Sequence, residues 1–328
     1  MIHDLCKRVL RDGGALVPLL IPSVKTGGTG LMNPSIISFG GELIVNIRHV
    51  NYVLHHSEGS QFFQNRWGPL AYLNPENDVK LKTTNWICKI DTETLQVEEE
   101  YKVDTTKLDI PPKWDFHGLE DARLIKWKGK LYLSGVRRDV KDNGEGRIEL
   151  SEVTFSADGI KEVKRIRIPA VNEESYCEKN WMPIEDMPYS YIKWTMPTEL
   201  VTYNPTTKKI SSEMKNNAKF DFVEGDLRGG SQVIRYGTYY IAIVHEVRLS
   251  HNKLGQKDAK YMHRFVMWNL DWEIYHISNL FSFLNADIEF ACGMTLYKDG
   301  LFITFGFQDN AAYVLRIPNN HIIKYLLC

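Results

Sequence analysis

A surplus of positive charge is missing. The chain sets 40 Lys and Arg against 41 Asp and Glu, a formal charge of −1. Proteins held to nucleic acid by bulk electrostatics carry a basic excess, so that class of partner is excluded. Paired cysteines are missing too. Cys6, Cys88, Cys177, Cys292 and Cys328 are odd in number and form no CxxC. That removes the usual zinc and redox frameworks and points to reduced thiols in an intracellular, cytoplasmic protein. No apolar run approaches the roughly 20 residues of a membrane span. The opening MIHDLCKRVLRDGG has no signal-peptide core, and ALVPLLIPSV is broken by two prolines, so no membrane association is expected. Nucleotide-binding loops of the GxxxxGK[ST] or GxGxxG kind are absent, and Arg228-Gly229-Gly230 is too short to count as one. His55-His56 and His245-Glu246 do not have zinc-ligand spacing, and no metal is expected. Helical periodicity is confined to the first dozen residues.

Aromatic residues, by contrast, make up 12% of the 328 positions and hydrophobic residues 43%, enough to build a large core of strands. One unit recurs: a short polar motif, an apolar strand, a tight turn and a second apolar strand. It begins at NPSIISFGGELIVNIR (33–48) and returns from residues 120, 180, 230 and 292. Gly40-Gly41, Gly129, Gly237 and Gly300 sit in four of the five turns, where hairpins demand positive φ. A more polar strand pair follows each unit, at 85–103, 147–168, 198–215, 263–281 and 312–327. Apolar and polar residues alternate in LIVNI, YYIAIV and LFITF. Five such units predict an all-β, five-bladed β-propeller with four-stranded antiparallel blades. The blades run over 33–103, 118–168, 178–215, 228–281 and 289–327 of a single domain, with an insertion at 49–84.

In such a blade the start of the first strand, the end of the second and the start of the third lie on one face. Strand-one starts bring Asn33, Ser35, Glu120, Asp121, Arg123, Glu178, Lys179, Asn180, Arg228 and Glu289 to a shared mouth. Strand-two ends bring Arg48, His49, Arg137, Arg138, Asp139, His245, Glu246 and Asp309; His263 and Arg264 open a third strand. The segments 49–84 and 247–262 rise from that face as walls or lids. Ionisable groups beside apolar strands need partners when buried, and a mixed ring of them around a pocket marks a functional site. Blade-to-blade hydrogen bonding is the competing explanation for each residue taken singly.

These motifs resemble the five-bladed β-propeller glycan-processing enzymes, above all glycoside hydrolase family 130, the β-mannoside phosphorylases, and the related β-1,2-mannosyltransferases. The likeness rests on Asn33-Pro34-Ser35 with Arg48 and on Gly118-Leu119-Glu120-Asp121-Ala122-Arg123. Weaker support comes from Glu178-Lys179-Asn180-Trp181, Arg228-Gly229-Gly230-Ser231, Tyr261-Met262-His263-Arg264-Phe265 and Glu289-Phe290-Ala291-Cys292-Gly293. The resemblance implies that Asp121, with Glu120 beside it, handles the catalytic proton. Ala122 stands where that family usually has proline, which leaves the loop one restraint fewer.

Inverting glycosyl transfer needs one group for the proton and one open face for the nucleophile. Phosphate, or a phosphate-bearing leaving group, needs a cationic cradle, and arginine supplies forked contacts to its oxygens. Arg48, Arg137, Arg138, Lys179, Arg228, His263 and Arg264 are the candidates, with Asn33, Ser35 and Asn180 as hydroxyl or phosphate ligands. Trp67, Trp114, Trp181 and Tyr261 are candidates for stacking on sugars. The expected function is therefore transfer of a mannose-like hexosyl unit with an anionic donor or co-substrate, by a glycosyltransferase or a phosphorylase. No cofactor is expected beyond phosphate or an activated sugar. The partner is a glycan or small sugar, and oligomeric state is left open. An inverting hydrolase remains as an alternative, with Glu178, Glu246 or Glu289 as second carboxylate. So does a propeller that only binds glycan or protein.

Overall fold

The structure, a computed structural model, describes residues 3–52, 62–65, 68–71, 81–215, 220, 222–223, 225–251, 257–298 and 300–328. Trp67 and His55-His56 lie outside the described residues. No helix among those residues is long and apolar enough to cross a membrane.

The alternating apolar runs pair as antiparallel hairpins, which join into five larger sheets in chain order, beside a two-stranded sheet of Phe62–Asn65 and Gly68–Ala71. The first sheet is Leu31–Phe39, Glu42–Val50, Leu81–Ile90 and Val97–Lys102, hydrogen-bonded in that order. The second is Leu119–Trp127, Lys130–Arg137, Arg147–Ser156 and Gly159–Arg167. The third is Met182–Pro183, Ser190–Trp194, Thr198–Asn204 and Lys209–Lys215. In the fourth, Arg228–Gly229 and Ile234–Tyr236 share the edge of Tyr239–His251, which pairs with Lys257–Trp268. The fifth holds Glu289–Tyr297, Gly300–Phe307 and Ala311–Pro318. At the first turn Gly40 and Gly41 have φ of 63° and 84°, the left-handed pair a two-residue hairpin needs.

Three expectations need correction. The fourth strand of the last sheet is not the chain end but Ala15–Pro18, antiparallel to Ala311–Pro318. Residues 319–326 are helical, and Ile322, Tyr325 and Leu326 at spacings of three and four form one buried stripe. Pro18 is tolerated because its strand lies at a sheet edge. Residues 247–251 and 257–262 are no loop; they prolong the two hairpin strands of the fourth sheet. At the Gly300 turn, positive φ falls on Lys298 (45°), since Gly300 is already paired with Tyr297.

Apolar side chains fill the seams between sheets. Ile37 and Ile87 of the first sheet meet Leu124 and Leu133 of the second. Trp127 of the second meets Tyr191 of the third, and Ile192 of the third meets Val244 of the fourth. Phe265 of the fourth meets Ile303 of the fifth, where the helix Leu5–Arg11 also packs. The last seam joins Phe302 and Val314 of the fifth sheet to Val45 of the first. Polar side chains stitch the innermost strands together: Ser35 Oγ accepts from Leu124 N, and Gln232 bonds Ile36 O and Met294 N.

Candidate active site

The polar motifs sit at irregularities in the first strands. Pairing slips between Met32 and Ser35, between Glu120 and Arg123, and between Ala291 and Gly293. A bulge places an extra residue against the partner strand and re-aims its side chain. Asn33 (φ 45°) and Asp121 (φ 48°) occupy these bulges, and Asn180 (φ 61°) precedes the third sheet in the same conformation. Asn and Asp enter the left-handed region more readily than other side chains. Gly135 lies opposite Asp121, where a Cβ would run into the Glu120 carbonyl oxygen. Ala122 is fully buried at this bulge, so the motif is fixed without the missing proline.

Asp121 is the hub. Its Oδ1 accepts from Asn33 Nδ2 at 2.7 Å and from the Arg48 guanidinium at 2.8 Å. The same guanidinium donates to Glu120 Oε2 (3.2 Å), Tyr52 Oη (3.0 Å) and Thr83 Oγ1 (3.2 Å). Glu120 Oε1 is buried and takes no hydrogen bond from the described residues. The two neighbouring carboxyls are pushed in opposite directions. Burial raises Glu120, and the Asp121 charge adds to it against the pull of Arg48. Burial also opposes the Asp121 charge, but Arg48, Asn33 and Arg123 outweigh it and hold Asp121 below the usual carboxylate range. Such divergence separates a proton holder from an ionised partner. From beneath, Arg123 donates to the Asp121 and Gly230 carbonyls at 2.7 and 2.8 Å.

A cavity of about 180 Å³ opens above this cluster. Of the sequence candidates it gathers Asn33, Arg48, Glu120, Asp121, Lys179, Asn180, His245, Tyr261 and Asp309. His245 is buried and stacks on Tyr261 with ring centroids 5.5 Å apart. Burial, then the charges of Arg123, Arg228 and Lys179 among others, keep its ring well below the ordinary imidazole value. His245 is therefore a neutral hydrogen-bonding group. Burial pushes the Tyr261 hydroxyl up to about 12, with Asp309 and Asp121 adding to the shift. Arg228, together with Lys179, lines an adjoining cavity, and neither cation has an ion pair with a described residue.

Other candidates lie outside the lining of this cavity. Ser35 is fully buried and holds Leu124 N at 2.7 Å. Arg264 is clamped by Glu246 at 2.5 Å and by the Ser278 and Phe222 carbonyls. Glu289 accepts three backbone N–H groups, from Phe283, Leu284 and Ala286. His263 is enclosed by Phe281 and Phe283, and burial lowers it to about 3. Glu178 accepts from Trp181 Nε1 at 3.0 Å and faces Lys193. Arg137 pairs with Glu149 and Asp139, and Asp139 also takes Gly118 N; both line a separate cavity of about 520 Å³. That cavity is the largest, but Asp121 is not in its lining. Arg138 lies over the Phe116 ring and donates to Gly144 O. His49 bonds Thr29 and Thr84. Trp181 is core; Trp114 packs on Gly144.

Sequence reasoning missed Tyr52, Phe290 and Trp194. Tyr52 lies four residues beyond Arg48, an even spacing that keeps it on one face of an extended chain. Trp194 ends the second strand of the third sheet.

No family model matches the chain, and neither does any curated protein sequence. Solved structures of similar fold do exist. β-1,2-Mannobiose phosphorylase from Listeria innocua superposes with a TM-score of 0.56 at 12% identity, covering 91% of this chain and 92% of that one. A GDP-Man-dependent mannosyltransferase from Leishmania mexicana gives 0.54 at 14% identity, with 94% and 90% covered. A mannose phosphorylase from the same organism, in complex with phosphate ion, gives 0.50 at 11% identity, with 97% and 93% covered. The resemblance seen in the motifs thus extends to the fold.

Proposed function

We propose that the five sheets are the blades of a five-bladed β-propeller. The cavity at Asp121 is then the active site of an enzyme that transfers a mannose-like hexosyl unit to or from phosphate or a phosphate-activated sugar. Five seams, the last returning to the first sheet, support the architecture. One observation carries the function. The carboxyl pair Glu120–Asp121 shares its cavity with Lys179, and Arg228 stands next to Lys179 with no carboxylate of its own among the described residues. Unpaired cations beside a proton-handling pair fit an anionic co-substrate.

In this reading Lys179 and Arg228 hold the phosphate, and neutral His245 adds a hydrogen bond. Phosphate oxygen bonds to the anomeric carbon as the bond from that carbon to the glycosidic oxygen breaks. The departing oxygen takes the proton held by Glu120. Asp121, ionised against Arg48, fixes the sugar by accepting from a hydroxyl. No other cofactor enters. The three second carboxylates first considered for hydrolysis are all engaged: Glu178 by Trp181, Glu246 by Arg264 and Glu289 by backbone. A second reading takes Asp309, which lines the same cavity, as the carboxylate that activates water.

The deciding experiment offers sugar 1-phosphates with mannoside acceptors, and mannosides with and without phosphate. Release of phosphate, and cleavage that requires it, support the proposal. Cleavage indifferent to phosphate and abolished by Asp309→Asn supports hydrolysis instead.

A further inference from the structure

The catalytic cavity does not end at Lys179 and Asn180. Both also line the adjoining cavity of about 430 Å³, more than twice as large. Small-molecule sites usually occupy about 300–1,000 Å³, so 180 Å³ is small for more than the reacting sugar. The larger space is bounded by Trp194, by the Glu178–Lys193 pair, and by Asn172 and Ser175 of the segment entering the third sheet, and it shares with the proposed phosphate site the side chains of Lys179 and Arg228.

Trp194 is the unusual member. It is 41% exposed, and its indole has no ring contact or hydrogen bond with a described residue. Pairing slips between Ile192 and Trp194, and such an irregularity re-aims the side chains around it. Trp181, in the same lining, is core and donates its N–H to Glu178. The space therefore offers an open aromatic face beside a carboxylate, an ammonium group, amides and a hydroxyl. Apolar C–H faces of a sugar ring suit the indole, and its hydroxyls both give and accept hydrogen bonds.

We infer that the Trp194 cavity is a subsite for a further glycosyl residue of a longer glycan, stacked on the indole and continuous with the reacting sugar through Asn180. This rests on the proposed function and narrows its substrate to oligosaccharides longer than a disaccharide.

The test is calorimetric titration of the protein in phosphate-free buffer, where the proposed transfer has no co-substrate, with β-linked mannobiose, mannotriose and mannotetraose. Affinity is expected to rise about tenfold from the disaccharide to a longer chain. Adding Trp194→Ala removes that rise, while Trp194→Phe keeps most of it. Thermal unfolding checks that the variants stay folded. A length-independent affinity, or a rise that survives Trp194→Ala, overturns the subsite and leaves the proposed function standing. Failure of every manno-oligosaccharide to bind overturns both.

Discussion

Two regions of the molecule put the same residue types to opposite uses. Beside the first and second sheets, Arg48, Glu120 and Asp121 face a cavity with bonding capacity in reserve. Oε1 of Glu120 has no partner among the described residues, and Oδ1 of Asp121 takes both of that group's hydrogen bonds. Across the fourth and fifth sheets, Glu289 uses both oxygens on backbone N–H groups, and each nitrogen of the Arg264 guanidinium donates, to Glu246 or to one of two carbonyls. Arg48, Glu120, Asp121 and Glu289 lie at or near strand ends, and Arg264 lies within a strand. A charge becomes chemistry where its neighbours leave a bonding position open, and becomes structure where they fill it.

The largest expected contrast comes from Asp121→Asn. Arg48 then has only Glu120 as a carboxylate partner, so Glu120 ionises and the catalytic proton is lost. Turnover should fall about a thousandfold while the protein stays folded, with some loss of unfolding temperature from the missing charge opposite Arg48. A near-normal rate would move catalysis away from this pair. The mirror experiment is Arg264→Met on the other side. It leaves Glu246 buried without a cation, and such losses cost about 3–5 kcal/mol. Denaturant unfolding should shift by that amount while activity per folded molecule persists. Loss of activity without loss of stability would return Arg264 to the site.

A pH series sharpens the comparison further. His263 is held down to about 3 by burial, below its ordinary value of 6.5. The unfolded chain therefore takes up this proton first as pH falls. Its contribution to stability is complete above about 6.5 and declines as pH drops toward 3. His245, lowered as well, acts in the same direction, as does Asp121 at lower pH. Glu120 is raised, so its contribution runs the other way and is lost as pH rises through its folded value. Urea midpoints measured from pH 7.5 to 5.5 should fall in the native protein and fall less in His263→Phe. Equal slopes would show that His263 is not buried in its neutral form.

Much of this was legible in the sequence because hairpins are local. Alternation and turn glycines mark the strand pairs, and the bulged Asn33 and Asp121 announce themselves as Asn and Asp in repeated motifs. What stayed hidden depends on distant chain. The strand Ala15–Pro18 completes the last sheet across almost the whole sequence, and an edge position does not declare its partner. Glu289 is a local case instead: the turn at Phe283–Ala286, just upstream, bends back onto its carboxylate. Period-2 counting also fails across a bulge. Asn33 and Ser35, two residues apart, should share a face, yet Asn33 reaches the cavity and Ser35 enters the seam.

That last pair gives the smallest test and the narrowest. Ser35 and Asn33 belong to one motif, and sequence alone assigns both to the substrate. The structure separates them: Asn33 donates to Asp121, whereas Ser35 accepts the Leu124 N–H from the next sheet at full burial. Ser35→Ala strands that N–H away from water, which costs about 1–3 kcal/mol. The unfolding midpoint should drop accordingly, with KM for sugar and for phosphate unchanged. If KM rises while the midpoint holds, the Ser35 hydroxyl turns toward the cavity and the seam between the first two sheets is closed by packing alone.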